Sequence, residues 1–234
     1  MKKIGFYSLV CLFLIGCGGG GTTTPDDSVT PPIVKDDVNT ILAKDLNLTK
    51  DINDGKLVID TSASIEDQYL KVINYLRSLK IKCNDSHAEE GPVNSIMWHT
   101  LLADAAKEHS DDMNTSGVYS HDGSGTVSDI TGQTFTPIRK SKPHERVKLQ
   151  NYNYVITGEN IAFAASYPKL SVSAWVSTME GWMKSDEGHC SNIMNPNFKE
   201  FGMSEIRGRK DVTFKDGVTR NSPVAYWTQS FGAR

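Results

Sequence analysis

Residues Gly188–Met203 read GHCSNIMNPNFKEFGM. A histidine and a cysteine open the run, and Ile193 and Met194 follow at the spacing of a short helix. Asn195-Pro196-Asn197 then breaks that helix, and a strand starts at Phe201. One stretch therefore joins helix to sheet and carries His189 at the joint. Two other stretches are built to meet it: YSHDGSG at Tyr119–Gly125, with His121, and GENIAF at Gly158–Phe163, with Glu159. None is informative alone. Together they offer two histidines and a glutamate, each beside a glycine that lets backbones approach a shared centre.

Outward from there, Ser64–Lys80 puts Ile65, Tyr69, Val72, Ile73, Leu76 and Leu79 on one helical face, with Ser64 as its cap. Met97–Met113 does the same with Trp98, Leu101, Leu102, Ala105, Ala106 and Met113. His109 shares that face and reads as a hydrogen-bonded core histidine. Gly117 is placed to cap this helix in the left-handed conformation. Leu170–Met183 is a third helix, with Val172, Trp175, Met179 and Trp182 inward. Ser124–Ile156 is long, polar and irregular, so it is either functional or carries a short helix of its own. Pro143–Leu149 is that helix, and Arg146 docks the loop by a salt bridge. Strands are expected at Gly158–Phe163, Phe201–Ile206 and Tyr226–Phe231, and Val212–Phe214 and Val218–Arg220 flank Lys215-Asp216-Gly217, a hairpin turn. Three helices and about three strands argue for α+β layering. Glu159 precedes an apolar run and needs a partner once buried: a histidine, a metal or a backbone amide.

At the N-terminus, Lys2 and Lys3 precede an apolar run from Ile4 to Ile15. That has the length of a signal peptide and falls short of the roughly 20 apolar residues of a spanning helix. Leu14-Ile15-Gly16-Cys17 resembles a bacterial lipobox. The expected organisation is a leader over residues 1–16, a flexible tether over 17–60 beginning at a lipid-bearing Cys17, and one folded domain over 61–234. Val38–Leu48 has the makings of a short helix within the tether. Gly18, in place of an aspartate, favours an outer-membrane destination by analogy. The membrane is then a partner through the lipid. The net charge of −3, without a basic stripe, argues against nucleic acid. With Cys11 in the leader and Cys17 lipidated, Cys83 and Cys190 remain. Such a pair in an exported protein forms a disulfide more readily than a metal site, a free pair being the alternative.

HSDDM at His109–Met113, YSHDGSG, GENIA, GWMKS at Gly181–Ser185, Gly188–Met203 and YWTQSFG at Tyr226–Gly232 follow one another in a familiar order. The stretch from Ser64 to Arg234 resembles the CAP superfamily of cysteine-rich secretory, antigen 5 and pathogenesis-related proteins, and is most similar to its short bacterial SCP-like lipoproteins. The resemblance implies a three-layer α-β-α sandwich with a cleft lined by His121, Glu159 and His189, between the third helix and the sheet. It supports pairing of Cys83 with Cys190. His121 and His189, with Glu159, can hold a divalent ion such as zinc and leave a position for water. Eukaryotic members carry a second glutamate where Ser185 stands, and Glu180 and Glu187 lie near without matching its position. Three functions follow. The first is a binding module for a small ligand, lipid or partner protein, without an assigned catalytic residue. The second is a metal-assisted hydrolase with Glu187 as general base. The third is an envelope scaffold whose His–Glu cluster is a satisfied polar network.

Overall fold

Strand pairing decides where the layers lie. The computed structural model describes residues 40–86 and 89–234. The leader, Cys17 and the first part of the tether lie outside the described residues. The middle layer is a four-stranded sheet made of β4 (Met97–Trp98), β5 (Ile156–Ala165), β6 (Glu200–Thr213) and β7 (Thr219–Ala233), in the order β4-β6-β7-β5. β6 and β7 form one long hairpin, in register from Glu200 opposite Gly232 to Thr213 opposite Thr219. The strand pieces expected on either side of residues 215–217 therefore merge into two strands of 14 and 15 residues. β5 pairs antiparallel with β7 and forms one edge, and the short β4 pairs in parallel with the start of β6 at the other.

Helices cover both faces, giving the α-β-α sandwich. On one side lie α2 (Ile65–Ser78), α6 (Ala174–Lys184) and α7 (His189–Met194). Val72, Ile73, Leu76, Met179, Trp182 and Ile193 form a common core there with Ala162, Phe201, Trp227 and Phe231 of the sheet. On the other side lie α3 (Thr100–Ser116) and α5 (Pro143–Leu149). Met113 packs on Ile161 and Val224, while Leu102 and Ala105 pack on Val147 and Tyr152. The caps follow the sequence: the Asp67 N–H donates to Ser64 Oγ at 3.1 Å, and Gly117 closes α3 at φ 75°. The loop between α3 and α5 also holds the short α4 (Ile130–Gln133).

Three expectations are corrected. Trp98 lies in β4 and not in a helix, because His99, Nδ1 of which accepts the Leu101 N–H at 3.2 Å, starts α3 later. Val172 is 87% exposed ahead of α6 and not on its inner face. The tether does not reach residue 60. β1 (Ile41–Leu42) pairs with β2 (Ile81–Lys82), which pairs with β3 (Glu89–Glu90). A 3-10 turn at Ala43–Asp45 and α1 (Leu48–Asn53) follow β1, in place of a helix over 38–48. Leu46, Leu48 and Leu57 are buried in the main core. The Leu48 N–H donates to Glu180 Oε2 at 2.8 Å, so burial of those leucines extends the folded unit back to residue 40. Cys83, just past β2, is bonded to Cys190 in α7, with Cα atoms 5.7 Å apart.

Candidate functional site

The pleat of β5 sets the site. Successive side chains on a strand point to opposite faces. Glu159 and Ile161 face α3 and α5, while Asn160 and Ala162 face α6 and α7. Asn160 Nδ2 donates to the His189 carbonyl at 3.2 Å, and Asn192 Nδ2 donates to Asn160 Oδ1 at 2.8 Å, which pins α7 against this edge. Gly158 is required between them, because a Cβ there would lie 2.7 Å from the Phe198 ring. Gly188 starts α7 at φ 83°, a conformation glycine adopts without strain.

Glu159 is 9% exposed and fully partnered. Arg146 Nη2 donates to its Oε2 at 2.8 Å, and His121 Nδ1 donates to its Oε1 at 2.9 Å. The same Arg146 nitrogen donates to the His121 carbonyl at 2.8 Å, and Nη1 donates to Ser141 Oγ at 3.0 Å. One buried guanidinium thus fixes the backbone of His121 and the carboxylate that orients its ring. Burial by itself raises the Glu159 carboxyl, but Arg146, then His109 and His121, outweigh it and hold the group down to about 2. Arg146 is the decisive charge. His109 is pushed down to about 4, by burial first and then by Arg146, and is neutral at pH 7. His109 Nε2 donates to the Ser120 carbonyl at 2.8 Å and lies 3.8 Å from Glu159, so the core histidine also floors the site.

His189 approaches from the opposite face. Its Nδ1 is 2.8 Å from Ser185 Oγ, its ring is almost wholly buried, and its Nε2 has no hydrogen-bond partner. Burial, with the nearby His121 adding to it, pushes this imidazole down to about 4. A hydroxyl can donate or accept, so Ser185 fixes the ring's position without fixing its tautomer as a carboxylate would.

His121, Glu159 and His189 line a cleft of about 450 Å³ along the β5 edge, together with Asp122, His144, Glu187 and Asn192. His121, Glu159 and His189 are therefore brought to one place. The cleft differs from the expected one in its position. It lies between α5 and α7 at the sheet edge and not between α6 and the sheet. The two histidines come from opposite sides of β5. Among the described residues, the grouping of three ligand atoms within 4.8 Å of one another is Cys83, Asp85 and Glu90, and not the histidine cluster. Cys83 is held in the disulfide there and offers no thiolate. Glu180 lies outside the cleft, held by the Leu48 N–H and by Lys184. Arg146, Ser185 and His109 are residues that sequence reasoning left out of the site. Ser185, four residues before His189, was signalled by its place in the family pattern. Arg146 read only as a loop anchor.

The chain belongs to the CAP family, the cysteine-rich secretory protein family, the sequence model of which matches residues 70–231, more than half of the chain. Among solved structures, it is similar to the 1.5 Å crystal structure of an extracellular protein containing a SCP domain from Bacillus anthracis str. Ames, at 23% identity and a TM-score of 0.45. That likeness covers 72% of this chain, which spans 40% of the other protein's length. A search of curated proteins returned no match.

Proposed function

We propose that the chain is an extracytoplasmic binding module, anchored by lipid on Cys17 after loss of residues 1–16, that takes a small ligand into the β5-edge cleft. The observation that carries this is the pairing state of the cleft. Glu159 is locked by Arg146 and His121, and a carboxylate held down to about 2 is a poor general base near neutral pH. Recognition therefore falls to the imidazoles. An orphaned His189 Nε2, buried and bare, calls for an external partner.

A divalent ion is one such partner. Zinc accepts imidazole nitrogen, and carboxylates behind metal-bound histidines orient them. In this site His121 and His189 would hold the ion, with Glu159 orienting His121 from behind and not ligating. Two imidazoles make a weaker set than the three or four protein ligands of zinc enzymes and structural sites. The test is a zinc titration of the wild type against His121→Ala and His189→Ala. The expected outcome is weak uptake by the wild type that both variants lose. Equal binding by all three, or none by any, removes the ion and leaves a plain ligand pocket. Mass spectrometry of lipid extracts from purified protein would then identify a co-purifying small ligand.

The hydrolase reading keeps one observation in its favour. Glu187 lines the same cleft, whereas Asp122 is tied to Lys142 Nζ at 2.7 Å. A peptidase activity abolished in Glu187→Gln would establish it. For the anchor, fractionation of Cys17→Ala decides: the variant should fail to yield the mature, lipid-bearing membrane form, and a variant as membrane-bound and as mature as the parent overturns the anchor. Membership in a family described as cysteine-rich secretory supports a site of action outside the cytoplasm.

A further inference from the structure

The two sides of the sheet differ in what meets the free backbone edge. On β5, Asn192 Nδ2 donates to the Glu159 carbonyl at 3.2 Å. Trp182 Nε1 and the Tyr119 hydroxyl donate to the Ile161 carbonyl at 2.9 and 3.2 Å. Side chains thus take up the outward carbonyls there. On the other side, β4 pairs only with Glu200 and Phe201. The His99 N–H donates to the Phe201 carbonyl at 2.8 Å, and the chain then turns into α3. Backbone groups alternate in direction along a strand. The N–H and C=O groups of Met203, Glu205 and Arg207 therefore point the same way as the Phe201 carbonyl, past the end of β4. Among the described residues none of these groups has a hydrogen-bond partner.

Beside this stretch of β6 lies a slot of about 840 Å³. Glu66 of α2 and Trp175 of α6 line it from one helical layer, and Asp104 and Lys107 of α3 line it from the other. Trp98 of β4 also lines it. The next strand position in the sheet, about 4.8 Å beyond β6, thus opens where β4 stops. The charge of the slot is one-sided. Lys107 is paired with Asp111 and Arg207 with Glu205, while Glu66 and Asp104 are exposed and have no ion-pair partner among the described residues.

We propose that this edge docks an extended, cationic segment of a partner polypeptide, added as a strand beside β6 and in continuation of β4. The segment supplies the ladder bonds that Met203, Glu205 and Arg207 lack, and main-chain bonds of this kind carry the affinity of strand addition. Its successive side chains face opposite helical layers. Two neighbouring basic residues therefore meet Glu66 on one side and Asp104 on the other, which gives the site its preference for charge. A second folded copy fits the edge less well. Beyond Arg207, β6 continues with Arg209 and Lys210, and charged residues on an open edge oppose its pairing with a like edge.

The experiment titrates purified protein with the blocked hexapeptide Ac-Thr-Val-Lys-Lys-Val-Thr-NH2 and follows backbone amide shifts and hydrogen exchange. The expected result is saturable shifts at the Met203, Glu205 and Arg207 amides, with exchange there slowed about tenfold or more and the β5 amides unmoved. Methylating every second peptide nitrogen removes the donors along one edge of the added strand. Of the two peptides made in this way, one should bind like the parent and the other about tenfold more weakly. A peptide with glutamate in place of both lysines should bind about tenfold more weakly, and Glu66→Gln/Asp104→Asn should weaken the lysine peptide about fivefold. The proposal is overturned if no saturable shift appears up to about 5 mM, or if the three amides stay unprotected at saturation. It is equally overturned if both methylated peptides or the glutamate peptide bind as tightly as the parent, or if the double variant binds the lysine peptide unchanged. Protection of the same amides that rises with protein concentration alone assigns the edge to a second copy and also overturns it.

Discussion

The two edges of the sheet are finished in opposite ways. At the β5 edge, almost every polar group is closed on a partner inside the protein: Arg146 on Glu159, Glu159 on His121, Asn160 on His189. At the β6 edge, Glu66 and Asp104 line a larger cavity without an ion-pair partner among the described residues, beside Glu205, which is paired with Arg207. Burial with partners fixes geometry and leaves three buried nitrogens over, His109 Nδ1, Arg146 Nε and His189 Nε2, of which the last belongs to a residue lining the cleft and probes what enters. Groups left unpaired at an open edge instead keep their full capacity for recognition and contribute little to the fold. Stability should therefore reside at one edge and tolerance of substitution at the other.

Removing the bridge beside His189 is the strongest way to break this contrast. Cys83 and Cys190 are 107 residues apart, and closing such a loop contributes about 4–5 kcal/mol in the chain-entropy model. Cys83→Ala/Cys190→Ala should lose most of that in urea unfolding, with the indole signals of Trp98 and Trp175 unmoved in the native state. A loss below about 1 kcal/mol would show that the bridge does not carry the β5 edge.

Arg146→Met comes next. It leaves Glu159 charged and buried without its cation, and destabilisation of about 3–5 kcal/mol is expected. Adding Glu159→Gln should recover most of the loss, since the uncompensated charge is then gone. If the single variant unfolds at the wild-type denaturant concentration, the ion pair is not what fixes this edge.

Acid sharpens the contrast further. His109 and His189 have folded values of about 4 against an ordinary 6.5, so the unfolded chain takes up protons first. Their contribution is complete above pH 6.5 and is lost as pH falls towards 4, by at most about 3 kcal/mol each. The depressed Glu159 extends the decline below its ordinary 4.5 towards 2. Urea unfolding at pH 7.5 and pH 5 checks this, and His109→Gln should flatten the difference. The smallest effect belongs to the other edge: Glu66→Gln/Asp104→Asn should shift stability by less than about 1 kcal/mol. A larger loss would mean that the β6 edge is structural after all.

Legibility in the sequence followed local physics. α2 was readable because its apolar residues recur at helical spacing and Ser64 caps it. His121, Glu159 and His189 were readable as a set because each sits beside glycine in a recognisable stretch. Trp98 misled because one aromatic at a helix start reads equally as strand, and only its pairing opposite Phe201 decides. The outer halves of β6 and β7 were missed as continuous strands because they alternate among polar residues such as Arg207, Arg209 and Asp211, with no apolar face to signal them. Residues 40–60 lack aromatics, yet Leu46, Leu48 and Leu57 fill core space that no local pattern announces. The depth of Arg146 depended on Glu159, in another element, and a surface arginine and a buried one look alike in one dimension.

If Cys17 carries the lipid proposed above, the domain is loaded mechanically from its N-terminal side. Tension arriving at residue 40 enters the domain through Ile41, the N–H of which donates to the Lys80 carbonyl at 2.9 Å, and through two residue pairs between β1 and β2. Cys83 follows β2 directly, and its bond leads to Cys190, next to His189. Force along the tether is therefore handed, after a ladder too short to resist much pulling, to a covalent link that ends beside the imidazole. Tension on the anchor and the set of that ring share one line through the molecule.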